Sequence, residues 1–199
     1  MLLPKSMAKR FLLVSNGGSR QNRRSFFGVI MQNSHLSQMM KLGMRRLAAG
    51  VCVLSTRTDT GQPFAMTVSS VTSVSDNPAS LLVCINKRVS QQGHLSTLGN
   101  QFAINILGDS QQAISDLCAG RDARDRFSEG NWLEDKQGVP YLADAQAVFF
   151  CKVDLASAYG THHIVVGLMH DVLVNEAEPS PLVYVNGGYA RLPGTGKTG

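Results

Sequence analysis

Apolar positions along this 199-residue chain recur in two rhythms. From Leu36 to Ala49, the residues Leu36, Met39, Met40, Leu42, Met44 and Leu47 stand near helical spacing, which predicts a helix stopped by Gly50. Beyond it, short apolar runs between polar and glycine-rich breaks predict strands at 51–56, 64–71, 80–86, 101–107, 147–158, 163–175 and 181–186. Phe149, Cys151, Val153 and Leu155 alternate with Phe150, Lys152, Asp154 and Ala156, the mark of a half-buried strand. Residues 90–98 and 110–119 predict helices, the second opened by Asp109-Ser110 as a capping pair and closed by Gly120. No internal repeat is present. Many strands with few helices predict a mainly β fold, a closed barrel with short flanking helices.

A hydrophobic fraction of 43% in 199 residues is enough for one domain with a sizeable core. The net charge of +5 misleads, because residues 1–58 carry ten cations and no acid. These are Lys5, Lys9, Arg10, Arg20, Arg23, Arg24, Lys41, Arg45, Arg46 and Arg57, and the remaining 141 residues hold nine cations against 14 acids. The body is therefore acidic, which argues against a basic nucleic-acid-binding domain. Residues 1–34 are basic, rich in Ser and Asn, broken by Gly17-Gly18, and without a period, so a disordered N-terminal extension is expected there. The lack of acids suits a transit peptide, whereas Phe11 to Val14 is too short for a secretory apolar region. The plainer expectation is an extension upstream of the domain, with Met31, Met39, Met40 and Met44 lying nearer to it. The expected layout is 1–34 extension, 35–192 folded domain and 193–199 flexible tail. No stretch reaches the length of a membrane span. Cys52, Cys84, Cys118 and Cys151 are more than thirty residues apart, too sparse for a metal site or a secreted disulfide framework. Free buried thiols and a reducing, cytoplasmic compartment follow.

Candidate chemistry concentrates in two segments. Residues 65–75, AMTVSSVTSVS, hold six hydroxyl residues and no charge, interleaved with Met66, Val68, Val71 and Val74. Such a strand, turning into a loop at its end, offers small hydrogen-bonding groups beside open backbone amides. Directly after the apolar run Leu81 to Ile85 comes Asn86-Lys87-Arg88-Val89-Ser90, which supplies charge and donors of the kind a phosphate needs. Each segment alone is equally readable as an edge strand and a solvated turn. Other signatures are missing. No GxGxxG follows a strand, which argues against a Rossmann domain. In GTGKTG (194–199) the glycine a P-loop requires upstream is Arg191. His162 and His163 are adjacent at a strand entrance and face opposite ways, so no metal site is expected.

In order along the chain, RRLAAGVCVLST (45–56), AMTVSSVTSVSDNPASLLVCIN (65–86), NQFAINILGDSQQAISDLCAG (100–120), RFSEGNW (126–132), GVPYLADAQAVFFCKV (138–153), GTHHIVVG (160–167) and PLVYVNGGYARL (181–192) match one family. Over residues 36–192 the chain resembles the short-chain flavin reductases. These are the reductase components of two-component flavin-dependent monooxygenases of the 4-hydroxyphenylacetate type. The resemblance implies a six-stranded Greek-key split barrel of the FMN-binding type, a homodimer with flavin near the subunit boundary. It implies reduction of FMN or FAD by NADH or NADPH and delivery of reduced flavin to a monooxygenase partner, with no nucleic acid or membrane involved. By the same match the backbone and hydroxyls of Ala65, Met66, Thr67, Val68, Ser69 and Ser70 hold the flavin ring and ribityl chain. Asn86, Lys87, Arg88 and Ser90 bind its phosphate, and His162 and Tyr189 flank the nicotinamide as catalytic residues. Two departures stand out: Thr161 replaces the Asp of the family's Gly-Asp-His, and Ala65 stands where relatives often have Gly. Arg126, Phe127 and Trp132 match an RF…W element read as structural, and His94 and His170 receive no role. Two other readings remain: a split-barrel protein that carries FMN without nicotinamide turnover, and a flavin-free scaffold with the basic arm as an interaction tail.

Overall fold

The computed structural model describes residues 35–120 and 126–192. The expectations for the extension 1–34 and the tail 193–199, including GTGKTG, lie outside them. The chain divides into two units, residues 1–44 and 45–199. In the first, residues 35–44 form helix α1, with Leu36, Met39, Met40, Leu42 and Met44 exposed. The helix expected to run to Ala49 stops at 44. Ala49–Gly50 instead forms strand β1, whose residues pair with Tyr184 and Val183 of β11 (Val183–Val185). Sheet pairing there satisfies backbone groups that the exposed apolar helix face gives no reason to keep helical.

The main sheet has the order β3 (Pro63–Val68), β2 (Cys52–Arg57), β6 (Gln101–Ile106), β9 (Ala147–Tyr159), β10 (His162–Val174), β5 (Ala79–Asn86), β4 (Thr72–Asp76), and all its described pairings are antiparallel. Alternation sorts β2 into two layers. Cys52 and Leu54 pack with Phe64, Val68, Leu81, Val83, Ile85, Phe102, Ile104, Cys151, Val153 and Val165. That cluster draws on β2, β3, β5, β6, β9 and β10 and not on β4, so six strands surround one interior and β4 is an added edge. The seventh strand was hidden in the hydroxyl stretch, whose largely exposed residues carry little apolar signal. The rolled sheet is not closed by a backbone ladder between β3 and β5. Ser70, just past β3, accepts from the Cys84 amide at 3.1 Å and donates to the Cys84 carbonyl at 3.2 Å, so one side chain bridges the seam. Gly167 lies at a register shift of β10, where an added Cβ would sit 2.5 Å from Phe102 Cζ and 2.9 Å from Cys151 Cβ. Only glycine fits this crowded interior.

Val51 and Val53 point to the other layer, with Ala65, Ala103, Val148 and Phe150, under Ile114 and Cys118 of α3 (Gln112–Ala119) and Leu142 of β8 (Pro140–Leu142). β8 pairs with β7 (Trp132–Glu134) and is tied down by a buried polar relay. Asn105 Oδ1 accepts from Leu142 N at 2.8 Å, Asn105 Nδ2 donates to Ser55 Oγ at 2.9 Å, and Ser55 donates to Pro140 O at 2.5 Å. α3 begins through a 3-10 turn, Asp109–Gln111, held by Gln111 Oε1 accepting from Gly108 N at 2.8 Å, rather than by a cap from Asp109-Ser110. The predicted helix 90–98 shrinks to α2, Gln92–Leu95. Ser96 and Thr97 turn their hydroxyls back onto Gly93 O, which competes with continuing the helix. Cys52, Cys118 and Cys151 are buried, Cys84 is half-buried, and all four are free thiols. Burial pushes the thiols of Cys52, Cys118 and Cys151 up to about 12. Among the described residues, no helix is long and apolar enough to cross a membrane.

Candidate functional site

Strand β3, helix α3 and a terminal hairpin converge on one groove. In the hairpin, β11 and β12 (Gly188–Ala190) are joined by Asn186 at φ 53° and Gly187 at φ 85°. A two-residue hairpin with both central φ positive is the geometry for which Asn-Gly is suited. Its register sets Tyr184 opposite Tyr189, and their rings meet edge-on with centroids 5.4 Å apart. The Tyr189 hydroxyl lies 2.9 Å from both Asp116 Oδ1 and Ser115 Oγ on α3. A carboxylate only accepts and the phenol has one hydrogen. Tyr189 therefore donates to Asp116 and accepts from Ser115. Thr67 of β3 donates to the Ser115 carbonyl at 2.6 Å, so one turn of α3 positions both the strand and the tyrosine. Burial pushes the Tyr189 phenol above its ordinary value, the Asp116 carboxylate adds to the shift, and the Ser115 hydrogen bond opposes it.

Two cavities share this framework. The first, about 430 Å³, is lined by Thr67, Val68, Ser69, Asp116, Tyr184 and Tyr189 among others. The second, about 360 Å³, is lined by Phe64, Met66, Thr67, Arg88, Ser90 and Arg126 among others. Thr67 and Ala119 line both, so the cavities adjoin at the middle of the groove. Each is within the size range of small-molecule sites.

Arg126 organises the second cavity. Its Nη1 donates to Ala65 O at 2.7 Å and its Nη2 to Gly120 O at 3.1 Å, while the guanidinium lies 4.7 Å from the centroid of the Phe64 ring. Its Nε is buried with no hydrogen-bond partner among the described residues. A buried guanidinium N–H without a partner is costly, and an anionic oxygen is what would satisfy it. With Arg88 and Ser90 beside it, this end fits the phosphate of a flavin nucleotide. Arg126 was read from the sequence as structural. Its position before Phe127 signals packing, and only the fold brings it beside Arg88.

Of the residues singled out from the sequence, Met66, Thr67, Val68, Ser69, Arg88, Ser90 and Tyr189 line this groove. The others do not. Ala65 is fully buried in the outer core layer, with its carbonyl taken by Arg126. Ser70 closes the seam to Cys84. Asn86 accepts from Arg88 N at 2.9 Å through Oδ1, and so shapes the turn that carries Arg88. Lys87 donates from Nζ to Gly160 O at 2.8 Å and from its amide to Thr161 O, which directs it to the β9–β10 turn. His162 pairs in register with Asn86 and Tyr159, and its Nδ1 sits 2.9 Å from Thr161 Oγ1. Thr161 thus partners the imidazole where the family pattern has a carboxylate. His162 lines neither groove cavity. Tyr184, Asp116 and Arg126 are among the lining residues that sequence reasoning missed. For Tyr184 the readable signal was Asn186-Gly187, which announces a hairpin and so a partner strand for Tyr189.

The chain is similar to known proteins in both sequence and fold. The family model described as flavin reductase like domain matches residues 44–193. The reductase component of the FADH(2)-dependent resorcinol hydroxylase of Rhizobium sp. (strain MTP-10005) is 36% identical over 156 residues, covering 77% of this chain and 86% of that protein. An FMN reductase (NADH), RutF 1, of Methylorubrum extorquens (strain PA1) is 35% identical over 157 residues, covering 78% of this chain and 76% of that protein. Among solved structures, BorF, the flavin reductase component of a bacterial two-component tryptophan halogenase, superposes with a TM-score of 0.70 at 30% identity over 79% of this chain and 98% of its own. The match extends over nearly the whole unit that begins at Arg45, and the chain belongs to the flavin reductase-like domain family.

Proposed function

We propose that this chain is an NAD(P)H-dependent flavin reductase that reduces FMN or FAD and passes the reduced flavin to a partner monooxygenase. The observation that carries the reading is the groove itself, with two guanidinium groups and a hydroxyl at one end and two tyrosines with a carboxylate at the other, joined along β3. Arg88, Ser90 and Arg126 hold the phosphate. The β3 backbone with Met66, Thr67, Val68 and Ser69 supports the ring and ribityl chain, and Tyr189 with Tyr184 walls the space for the nicotinamide. Flavin held there would supply the redox chemistry, a hydride acceptor for the nicotinamide. The protein's share is positioning and the exclusion of water. A held, hydrogen-bonded Tyr189 lowers the freedom of the donor ring.

The relatives suggest the finer points. One is named a reductase component of a hydroxylase and another an FMN reductase using NADH, which favours NADH as donor here and a flavin-dependent monooxygenase as recipient. Exposed Leu155, Tyr159, Leu173 and Val174 on the long β9–β10 hairpin favour a homodimer. Four free cysteines suit a reducing, cytoplasmic compartment. His162 belongs to this proposal as a residue of the β9–β10 turn, beside Lys87 and Asn86. Anaerobic mixing of the protein with excess FMN or FAD and each nicotinamide, following the oxidised-flavin absorbance, tests the whole reading. Rapid bleaching of excess flavin is the expected result. A bound flavin that neither nicotinamide bleaches would leave a binding protein and overturn the reductase.

A further inference from the structure

The two cavities of the groove differ in charge, and the difference has a chemical consequence. Arg88 and Arg126 line one. Among the described residues, the only ionisable groups lining the other are Asp116 and the two tyrosines. The Arg45 guanidinium approaches Gly187, where an added Cβ would lie 3.7 Å from Arg45 Cζ, but Arg45 is not part of the lining. Among the described residues Asp116 makes no ion pair, and its described partner is the Tyr189 hydroxyl. The residue is exposed, so water screens it until a ligand covers the cavity. A flat ring laid over Tyr184 and Tyr189 beside this carboxylate would cover it and feel its negative charge.

We propose that Asp116 is a specificity-determining residue that makes the tyrosine-lined cavity favour the oxidised, cationic nicotinamide ring over the neutral reduced ring. This rests on the reductase reading given above. When a hydride, one proton with two electrons, leaves C4 of the donor for the flavin, the donor ring gains one positive charge and the flavin one negative. A carboxylate beside the donor ring therefore interacts more favourably with the ring as it becomes after transfer than as it was before. The adenosine and pyrophosphate are common to both oxidation states, so the ratio of the two dissociation constants isolates the charge on the ring.

The test is calorimetric titration of NAD⁺ and of NADH into the full chain carrying flavin already reduced by dithionite, so that neither nucleotide is consumed. Asp116→Asn keeps an acceptor oxygen for Tyr189 and removes the charge. The expected result is that the ratio of the NAD⁺ to the NADH dissociation constant rises about tenfold in Asp116→Asn. Tyr189→Phe, which keeps the charge, is expected to leave it within about twofold. A ratio that moves less than twofold in Asp116→Asn, or equally in both variants, overturns the role of Asp116 and leaves the reductase reading intact. Wild-type protein that binds neither nucleotide overturns both together. Should Asp116→Asn fail to fold, the wild-type ratio decides alone: it is expected to climb with added salt as the carboxylate is screened, and a salt-independent ratio sinks the proposal.

Discussion

The two ends of the groove are built by opposite means. At the arginine end, the guanidinium of Arg126 is fixed by two backbone carbonyls and the Phe64 ring, and its buried Nε has no partner among the described residues. At the tyrosine end the phenol of Tyr189 sits between Ser115 and Asp116, and the Ser115 carbonyl in turn receives Thr67. One end holds a buried guanidinium nitrogen with no partner among the described residues, and the other holds a phenol fixed by two hydrogen bonds. On the proposed reading, the contrast teaches that binding energy and orientation are supplied at different places along one strand, with Thr67 in the middle.

Several substitutions would break or sharpen this contrast. The largest effect is expected from Arg126→Ala, which removes the cation and leaves the carbonyls of Ala65 and Gly120 without their donor. Flavin affinity should fall by about a hundredfold and stability by about 1–3 kcal/mol. Fluorescence titration and urea unfolding measure the two separately, and retained flavin affinity would remove Arg126 from the site.

Alkaline titration comes next and probes the core beneath the groove. The thiols of Cys52, Cys118 and Cys151 rise from 9.0 to about 12 in the folded chain, so the folded state keeps protons that the unfolded state releases. Their stabilisation is full below pH 9 and is lost as pH climbs from 9 to 12, at up to about 1.4 kcal/mol per pH unit for each thiol. Cys118 alone of the three lines the groove, at the arginine end. Cys118→Ala should make the alkaline loss shallower by one thiol's share, and an unchanged slope in urea midpoints against pH would contradict its burial.

Arg88→Ala should weaken flavin binding about tenfold, as loss of one charged contact to a phosphate. Tyr189→Phe should raise the KM for the nicotinamide about threefold and leave flavin affinity within twofold, since it removes one hydrogen-bond donor from the wall. If flavin affinity follows the KM, the two ends are not separate sites. Lys87→Ala should change flavin binding less than about twofold, because its ammonium is engaged with Gly160 at the β9–β10 turn. A larger loss from Lys87 than from Arg88 would reverse the assignment of the arginine end.

Some of this was legible along the chain. Alternation in Phe149 to Ala156 placed β9, because burial on a pleated sheet leaves a period of two, and short apolar runs between polar breaks placed β2, β5, β6 and β10 to within about a residue or two. The hydroxyl stretch did mark the strand that lines the groove, although its six members serve different ends. Thr67 positions α3, while Ser70 bridges the barrel seam. The helix predicted to Ala49 failed because its spacing carries no information about a strand from the far end of the chain that claims Ala49 and Gly50. β4, β7, β8 and β12 are short or half-exposed, and too few residues repeat in them for a period to show.

Local sequence, then, determined the elements and the residue types that could meet a phosphate or a ring, since propensity and periodicity act over a few neighbouring positions. Which of those residues meet was decided only by the tertiary structure. Asn86, Lys87 and Arg88 are consecutive, yet the turn sends Arg88 into the groove and Lys87 to Gly160. Asp116 and Tyr189, 73 residues apart, share a hydrogen bond because an Asn-Gly hairpin folds the end of the chain onto α3. Contacts between residues so far apart depend on how the sheet rolls and which face α3 covers, and no local pattern carries that geometry.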